Sequence, residues 1–317
     1  MIQNVKCSIR PGKDMRFFKL KMKREGEICR DFITNSGGME IGAIVLRHTG
    51  GCPFLSRKRI LGIAQAVLGK RTGGNDRAPG KIYRAEYELG REPWSTWKAG
   101  DNPRSLRKTD NAHWSDPVLR RVATHPVIGE IAARLMNADK IALWHDQLLY
   151  KPGRADRRHT ANVGWHQDYV YWQCCAEPSL VTAWVAFTDV DLSNGCMQVV
   201  PGSHKWGLVK VNDFFEQNLE KQQEQMELPD GQAFRPVPLV MKAGQVSFHH
   251  ALTIHGSGPN TTDSPRRSMA VHLMTGDTRY RSGTPAEGHM NVKLLNGRDG
   301  DLFEGEPFPV LYPPSVR

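Results

Sequence analysis

From about residue 140 onward, short apolar runs recur between turn residues, and this texture limits the fold more than any other property of the chain. The runs are Ile141–Tyr150, Leu180–Phe187, Met197–Val200, Val237–Met241, Gln245–His249 and Arg267–Met274. Asn194-Gly195, Pro201-Gly202 and Ala243-Gly244 punctuate them. Such runs are strand-sized, and the Gly- and Pro-containing pairs between them suit tight reversals. The pattern predicts an antiparallel sandwich or barrel. Phe214–Met226, rich in Glu and Gln, reads as a helical or loop insertion between strands.

The region before residue 140 reads differently. Leu55–Leu68 carries Ile60, Ile63 and Val67 at helical spacing, and Gly69–Gly80 reads as a loop. Residues 117–136 predict two helices: Pro117 opens the first, Pro126 breaks it, and the second runs from Ile128 to Met136. Arg16–Lys21 alternates in part, as a strand would. The expected class is mainly β with flanking α. One domain is expected over 1–317, with a helix-rich part at about 1–139, a β core at about 140–280 and an extension over 281–317.

Bulk properties exclude several functions. No run approaches the length of a membrane-spanning helix, and Met1–Cys7 lacks the apolar core of a signal peptide, so a cytoplasmic protein is expected. The six cysteines form no CxxC pair, which argues against a zinc ribbon or a disulfide framework. The net charge of +10 favours acidic partners, but the basic residues are dispersed, with short clusters at Lys19–Arg24 and Arg154–Arg158. No nucleic-acid motif is present, and no nucleic-acid partner is expected.

The chemistry begins at Trp165-His166-Gln167-Asp168. In an extended strand, residues i and i+2 share a face, so His166 and Asp168 can point inward while Gln167 turns away. An imidazole and a carboxylate side by side are two metal ligands. His255, in Leu252–Gly258, offers a third. Two histidines and one carboxylate suit iron(II) with open coordination positions. Arg266 follows His255 by eleven residues, and Arg266, Ser268, Ala270 and His272 alternate onto one face. An inward arginine clamps a carboxylate in bidentate fashion, which is what 2-oxoglutarate needs at its distal end. An HxD pair alone is weak among twelve histidines; the later histidine and arginine sharpen it.

Taken together, Trp165–Asp168, Asn194–His204, Gly244–His249, His255–Asn260 and Arg266-Arg267 resemble the phytanoyl-CoA dioxygenase family over roughly residues 140–275. The resemblance implies a double-stranded β-helix (jelly-roll) core with the N-terminal helices packed against it. It implies oxidation of a substrate by O2 with conversion of 2-oxoglutarate to succinate and CO2. It assigns His166, Asp168 and His255 to iron(II), Arg266 to 2-oxoglutarate, and Gln147 and Trp184 to the cosubstrate's surroundings. Trp184 reads equally well as a core residue. Halogenating relatives lack the carboxylate ligand, so the presence of Asp168 favours hydroxylation or another hydrogen-abstraction outcome.

Other residues carry two readings. His272 lines the pocket or packs. Of His249 and His250, one packs or hydrogen-bonds inside the core. His204 stabilises its turn. Cys174 and Cys175 are wall residues. Tyr169, Tyr171 and Trp172 form an apolar wall or plain packing. Lys151–His159 reads as a loop at the pocket mouth. The expected partner is a small organic substrate, possibly anionic. Two rival functions keep parts of this picture: a catalytically silent jelly-roll binding protein, and a nucleic-acid demethylase.

Overall fold

The computed structural model describes residues 86–102, 104–153, 161–210 and 213–313, with Ile82 and three short strands nearer the N-terminus. The helix expected over Leu55–Leu68, the loop over Gly69–Gly80, the basic clusters and Cys7, Cys29 and Cys52 lie outside the described residues.

The strands in chain order are β1 (Arg16–Phe18), β2 (Phe32–Thr34), β3 (Ala43–Leu46), β4 (Trp94–Ser95), β5 (Arg107–Asp110), β6 (Ile141–Lys151), β7 (Val163–His166) and β8 (Leu180–Ala186). They continue with β9 (Gln198–Val199), β10 (Val237–Pro238), β11 (Val246–His250), β12 (His255–Ser257), β13 (Arg266–Thr275) and β14 (Val310–Tyr312). The larger sheet runs β3-β11-β8-β13-β6-β5-β4, with β14 added on β6; the smaller runs β10-β9-β12-β7. From β6 to β13 the chain passes back and forth between the two sheets, and every pairing is antiparallel. That alternation is an antiparallel sandwich, as the texture predicted, with the jelly-roll course that the family resemblance implied.

Two helices cover the outer face of the larger sheet. They are α1 (Pro117–Ala123) and α2 (Pro126–Met136). Asp116 caps α1 by accepting from the Val118 and Leu119 amides, and the Nδ1 of His125 caps α2 by accepting from Val127. Pro126 therefore opens the second helix as its first residue and does not merely break the first. Leu119, Val122, Ile128 and Ala132 pack on Leu148, Val181, Val185 and Val271 of the sheet. Among the described residues before 140, β3, β4 and β5 extend the larger sheet.

Side-chain alternation sorts the larger sheet's other face. Registered neighbours Arg266–Lys151, Ala270–Gln147, Ala270–Trp184 and His272–Thr182 turn toward the smaller sheet. A bulge lies opposite His272 and Leu273, which pair with His145 and Leu143 and leave Trp144 unpaired between them. An extra residue in one strand resets the alternation, so Trp144 and His145 both turn to the interior.

The insertion before β10 holds helix α3 (Leu219–Glu224) and closes the free edge of β7. The Gly164 amide donates to the Phe214 carbonyl, and Gln222 both accepts from the Trp165 amide and donates to its carbonyl. A Cβ at Gly164 would fall on the Asp213 carbonyl, so glycine is what allows this approach. The C-terminal extension, with helix α4 (Met290–Leu295), closes one end of the barrel. Phe303 and Phe308 from it stack around Trp144.

Candidate active site

His166 and His255 are cross-strand neighbours on β7 and β12. Asp168 lies just beyond β7, on the first residue of a 3-10 turn and not in the strand as the alternation suggested. The intervening Gln167 is extended (φ −113°, ψ 127°), so the two-residue repeat still turns Asp168 to the same side. Gln167 points away and is tied there: its amide donates to the Gly207 and Leu252 carbonyls and its oxygen accepts from Val209.

The ligand atoms of His166, Asp168 and His255 all lie within 4.8 Å of one another, and all three side chains are buried. Asp168 Oδ1 is 3.6 Å from His166 Nε2 and 3.7 Å from His255 Nε2. Each imidazole is held by its far nitrogen: His166 Nδ1 donates to the Gly164 carbonyl at 2.7 Å, and His255 Nδ1 to the Thr253 carbonyl at 2.9 Å. That fixes the tautomer and leaves both Nε2 lone pairs facing Asp168 Oδ1. The other carboxylate oxygen, Oδ2, accepts from the Thr182 hydroxyl at 2.9 Å and faces His249 Nε2 at 3.4 Å.

The electrostatics fit a cation. Burial holds His255 well below its ordinary value, so it stays a neutral donor. Burial opposes charge on Asp168, but the facing His255, His166 and His249 outweigh it, and its pKa sits well below the usual carboxylate range.

Arg266, on the same sheet face, is buried with its Nε unpartnered, 5.3 Å from the centre of the Trp184 ring. Burial pulls its pKa to about 10, which leaves it charged at neutral pH. Its strand neighbour Lys151 is fully buried too; its ammonium donates to the Ser257 hydroxyl at 2.7 Å and to the Ser257 and Gly258 carbonyls. Lys151 therefore belongs to β6 and not to the mouth loop expected from 151–159; residues 154–160 lie outside the described set. Among the described residues, no carboxylate pairs with either group. The nearby Cys196 thiol is pushed up to about 11 by burial and stays neutral. Ser268 and Ser247 add buried hydroxyls without partners. A buried cation with no anion is costly, and this end of the barrel can accept a carboxylate.

Gln147 reaches the interior, but its side chain hydrogen-bonds Asp110, away from the arginine. His272 faces inward, with Nδ1 on the Thr182 hydroxyl at 2.8 Å. His250 accepts from the Leu252 amide. In the turn of His204, Ser203 donates to the Val200 carbonyl and accepts from the Ile254 amide. Cys174 and Cys175 are buried free thiols in the wall. Trp172 is buried, Tyr169 donates to the Cys175 carbonyl, and the Tyr171 hydroxyl accepts from Phe214. Phe214 lies 5.1 Å from the His166 ring. Thr182, Lys151, His145 and Phe214 were missed by spacing, because Thr182 meets Asp168, Phe214 meets His166, Lys151 neighbours Arg266 and His145 meets His272 only between segments distant in sequence.

A model of the phytanoyl-CoA dioxygenase family matches residues 81–268. The chain belongs to the phytanoyl-CoA dioxygenase family. Among relatives in this family, the peroxisomal phytanoyl-CoA dioxygenase of Rattus norvegicus is 35% identical over 154 residues, 46% of this chain and 44% of that protein. That of Homo sapiens is 32% identical over 170 residues, 52% and 48% of the two. The chain thus spans about half the length of the curated relatives it matches. Among solved structures, the non-heme alpha ketoglutarate dependent carbocyclase SnoK from nogalamycin biosynthesis is 31% identical. The match covers 74% of this chain and 84% of that one, with a TM-score of 0.55.

Proposed function

We propose that this family member is an iron(II)- and 2-oxoglutarate-dependent oxygenase. It oxidises a small-to-medium organic substrate by hydrogen abstraction, with release of succinate and CO2. One observation carries the reading: two imidazole Nε2 atoms and one carboxylate oxygen converge within 4.8 Å, each ligand locked by a hydrogen bond on its far side. Nitrogen and oxygen donors without thiolate suit iron(II), and three ligands leave positions open. The bound metal would supply oxygen activation.

The rest is this chain's work. His166, Asp168 and His255 hold the metal. Thr182 keeps Oδ2 of Asp168 occupied, so that Oδ1 is the ligand. Arg266 meets the distal carboxylate of 2-oxoglutarate, with Lys151 beside it adding positive field and Trp184 forming a flat wall. This neutralisation offsets the burial that lowers the pKa of both Arg266 and Lys151. Phe214 and Trp172 exclude water near the reacting carbon. No side chain is required as a general base; the protein positions a carbon–hydrogen bond.

The likeness to SnoK supports the cosubstrate, since that protein is described as alpha ketoglutarate dependent. Residues 1–317 are read as one oxygenase domain. No helix among the described residues is long and apolar enough to cross a membrane. The free thiols Cys174, Cys175 and Cys196 suit a reducing setting such as the cytoplasm. The test is succinate formation from 2-oxoglutarate with added iron(II). His166→Ala and Asp168→Ala should each abolish it, and full turnover in either variant would refute the triad.

A further inference from the structure

A second cluster of buried polar groups adjoins the triad on the Asp168 side. His145 on β6 and His272 on β13 lie with ring centres 4.5 Å apart. Trp172 meets both, at 5.5 Å and 4.6 Å, and His289, at the start of α4, stands 5.4 Å from His145 and stacks on Trp144. The four rings His145, His272, His289 and Trp172 pack on one another and form a continuous polar and aromatic wall beside the triad, against which a ring can lie.

The wall is polar but unsatisfied. Both ring nitrogens of His145 and Nε2 of His272 are buried without a hydrogen-bond partner. Buried polar atoms normally find partners, so three orphans together call for a guest. The tautomer of His272 follows from its neighbours. The Thr182 hydroxyl gives its proton to Asp168, so it can only accept from His272, whose Nδ1 carries the proton. Nε2 of His272 is then an acceptor. A neutral His145 has one donor and one acceptor. The guest must therefore both donate and accept.

The charge balance narrows its class. Among the described residues, the cation at this wall is Lys108, which is paired to Asp110 at 3.0 Å, and Asp110 Oδ1 lies 3.8 Å from His145. Burial keeps His145 and His289 uncharged. Among the described residues, an anion would find no uncommitted counter-charge here, in contrast to the Arg266 end of the barrel.

We propose that His145, His272, His289 and Trp172 form the substrate subsite, and that it takes an uncharged ring compound bearing hydroxyl or carbonyl groups. Calling the guest the substrate rests on the oxygenase reading; the recognition itself does not. An uncharged substrate is thereby favoured over the anionic one that the sequence left open.

Matched probe pairs test it on the full chain, loaded with zinc(II) in place of iron and with 2-oxoglutarate. The pairs are phenyl glucoside with phenyl glucuronide, and cyclohexanol with cyclohexanecarboxylate, read by saturation-transfer NMR. The uncharged members should bind, with the carboxylated partners about tenfold weaker. His145→Phe and His272→Phe should abolish the signal, while His145→Gln, which restores a donor and an acceptor, should keep part of it. Equal or tighter binding of the carboxylates overturns the proposal. So does binding unchanged in both Phe variants, and so does the absence of binding by every probe. Failure of the oxygenase reading would look different: no metal–2-oxoglutarate absorption band, with probe binding intact.

Discussion

In the proposed metal site the Thr182 hydroxyl occupies Oδ2 of Asp168 and leaves Oδ1 to the metal. Thr182→Val keeps the shape and removes the donor. Iron(II) affinity should fall about tenfold, as losses of outer-shell partners do, when measured against a coloured chelator. Unchanged affinity would remove Thr182 from the site. Arg266→Ala should raise the 2-oxoglutarate dissociation constant by on the order of a hundredfold, since a charge-assisted pair is lost and Lys151 is left with the anion alone. An unchanged constant would count against the clamp. At this scale the sequence was readable where spacing is local. His166 and Asp168 are two residues apart, and Arg266 follows His255 at a fixed distance. His145, Lys151 and Thr182 were not readable, because their roles depend on cross-strand register and on a bulge that spacing does not reveal.

The β7 strand carries His166 at the open edge of the smaller sheet. Its edge is completed by side-chain bonds from α3, with Gln222 standing in for a neighbouring strand. Gln222→Ala leaves a buried amide and carbonyl unpaired and should cost about 2 kcal/mol. The melting temperature should drop by a few degrees and iron affinity should weaken; an unaffected melting temperature would show that the insertion does not support β7. Strands β6, β8, β9, β10, β11 and β13 were legible as apolar runs between turns, whereas β12 and β14 were not, and Gly195 and Gly202 take the left-handed turns expected of them (φ 71° and 84°). The strand β5 was not legible. Arg107-Lys108-Thr109-Asp110 has no apolar residue, and only pairing with β6 makes it a strand.

Across the whole molecule, several imidazoles are folded as neutral groups. Burial lowers His145 and His255 well below 6.5, His272 to about 3 and His289 to about 4. A depressed pKa means that the unfolded chain binds more protons, so stability is held above about pH 6.5 and lost as pH falls toward those values. Asp168 acts in the same direction at lower pH, while Asp110, raised by burial, opposes them. The metal-free protein should therefore melt at progressively lower temperature between pH 7.5 and 5; a flat profile would contradict the buried neutral histidines. The imidazoles of His166 and His255 beside the Asp168 carboxylate are what fit the barrel to hold a metal. Anaerobic titration with iron(II) and 2-oxoglutarate tests this most directly. The account predicts a broad visible charge-transfer band in the native chain, lost in His255→Ala and shifted to higher 2-oxoglutarate concentration in Arg266→Ala. A native chain that gives no band, or a His255→Ala chain that gives the same one, would contradict it.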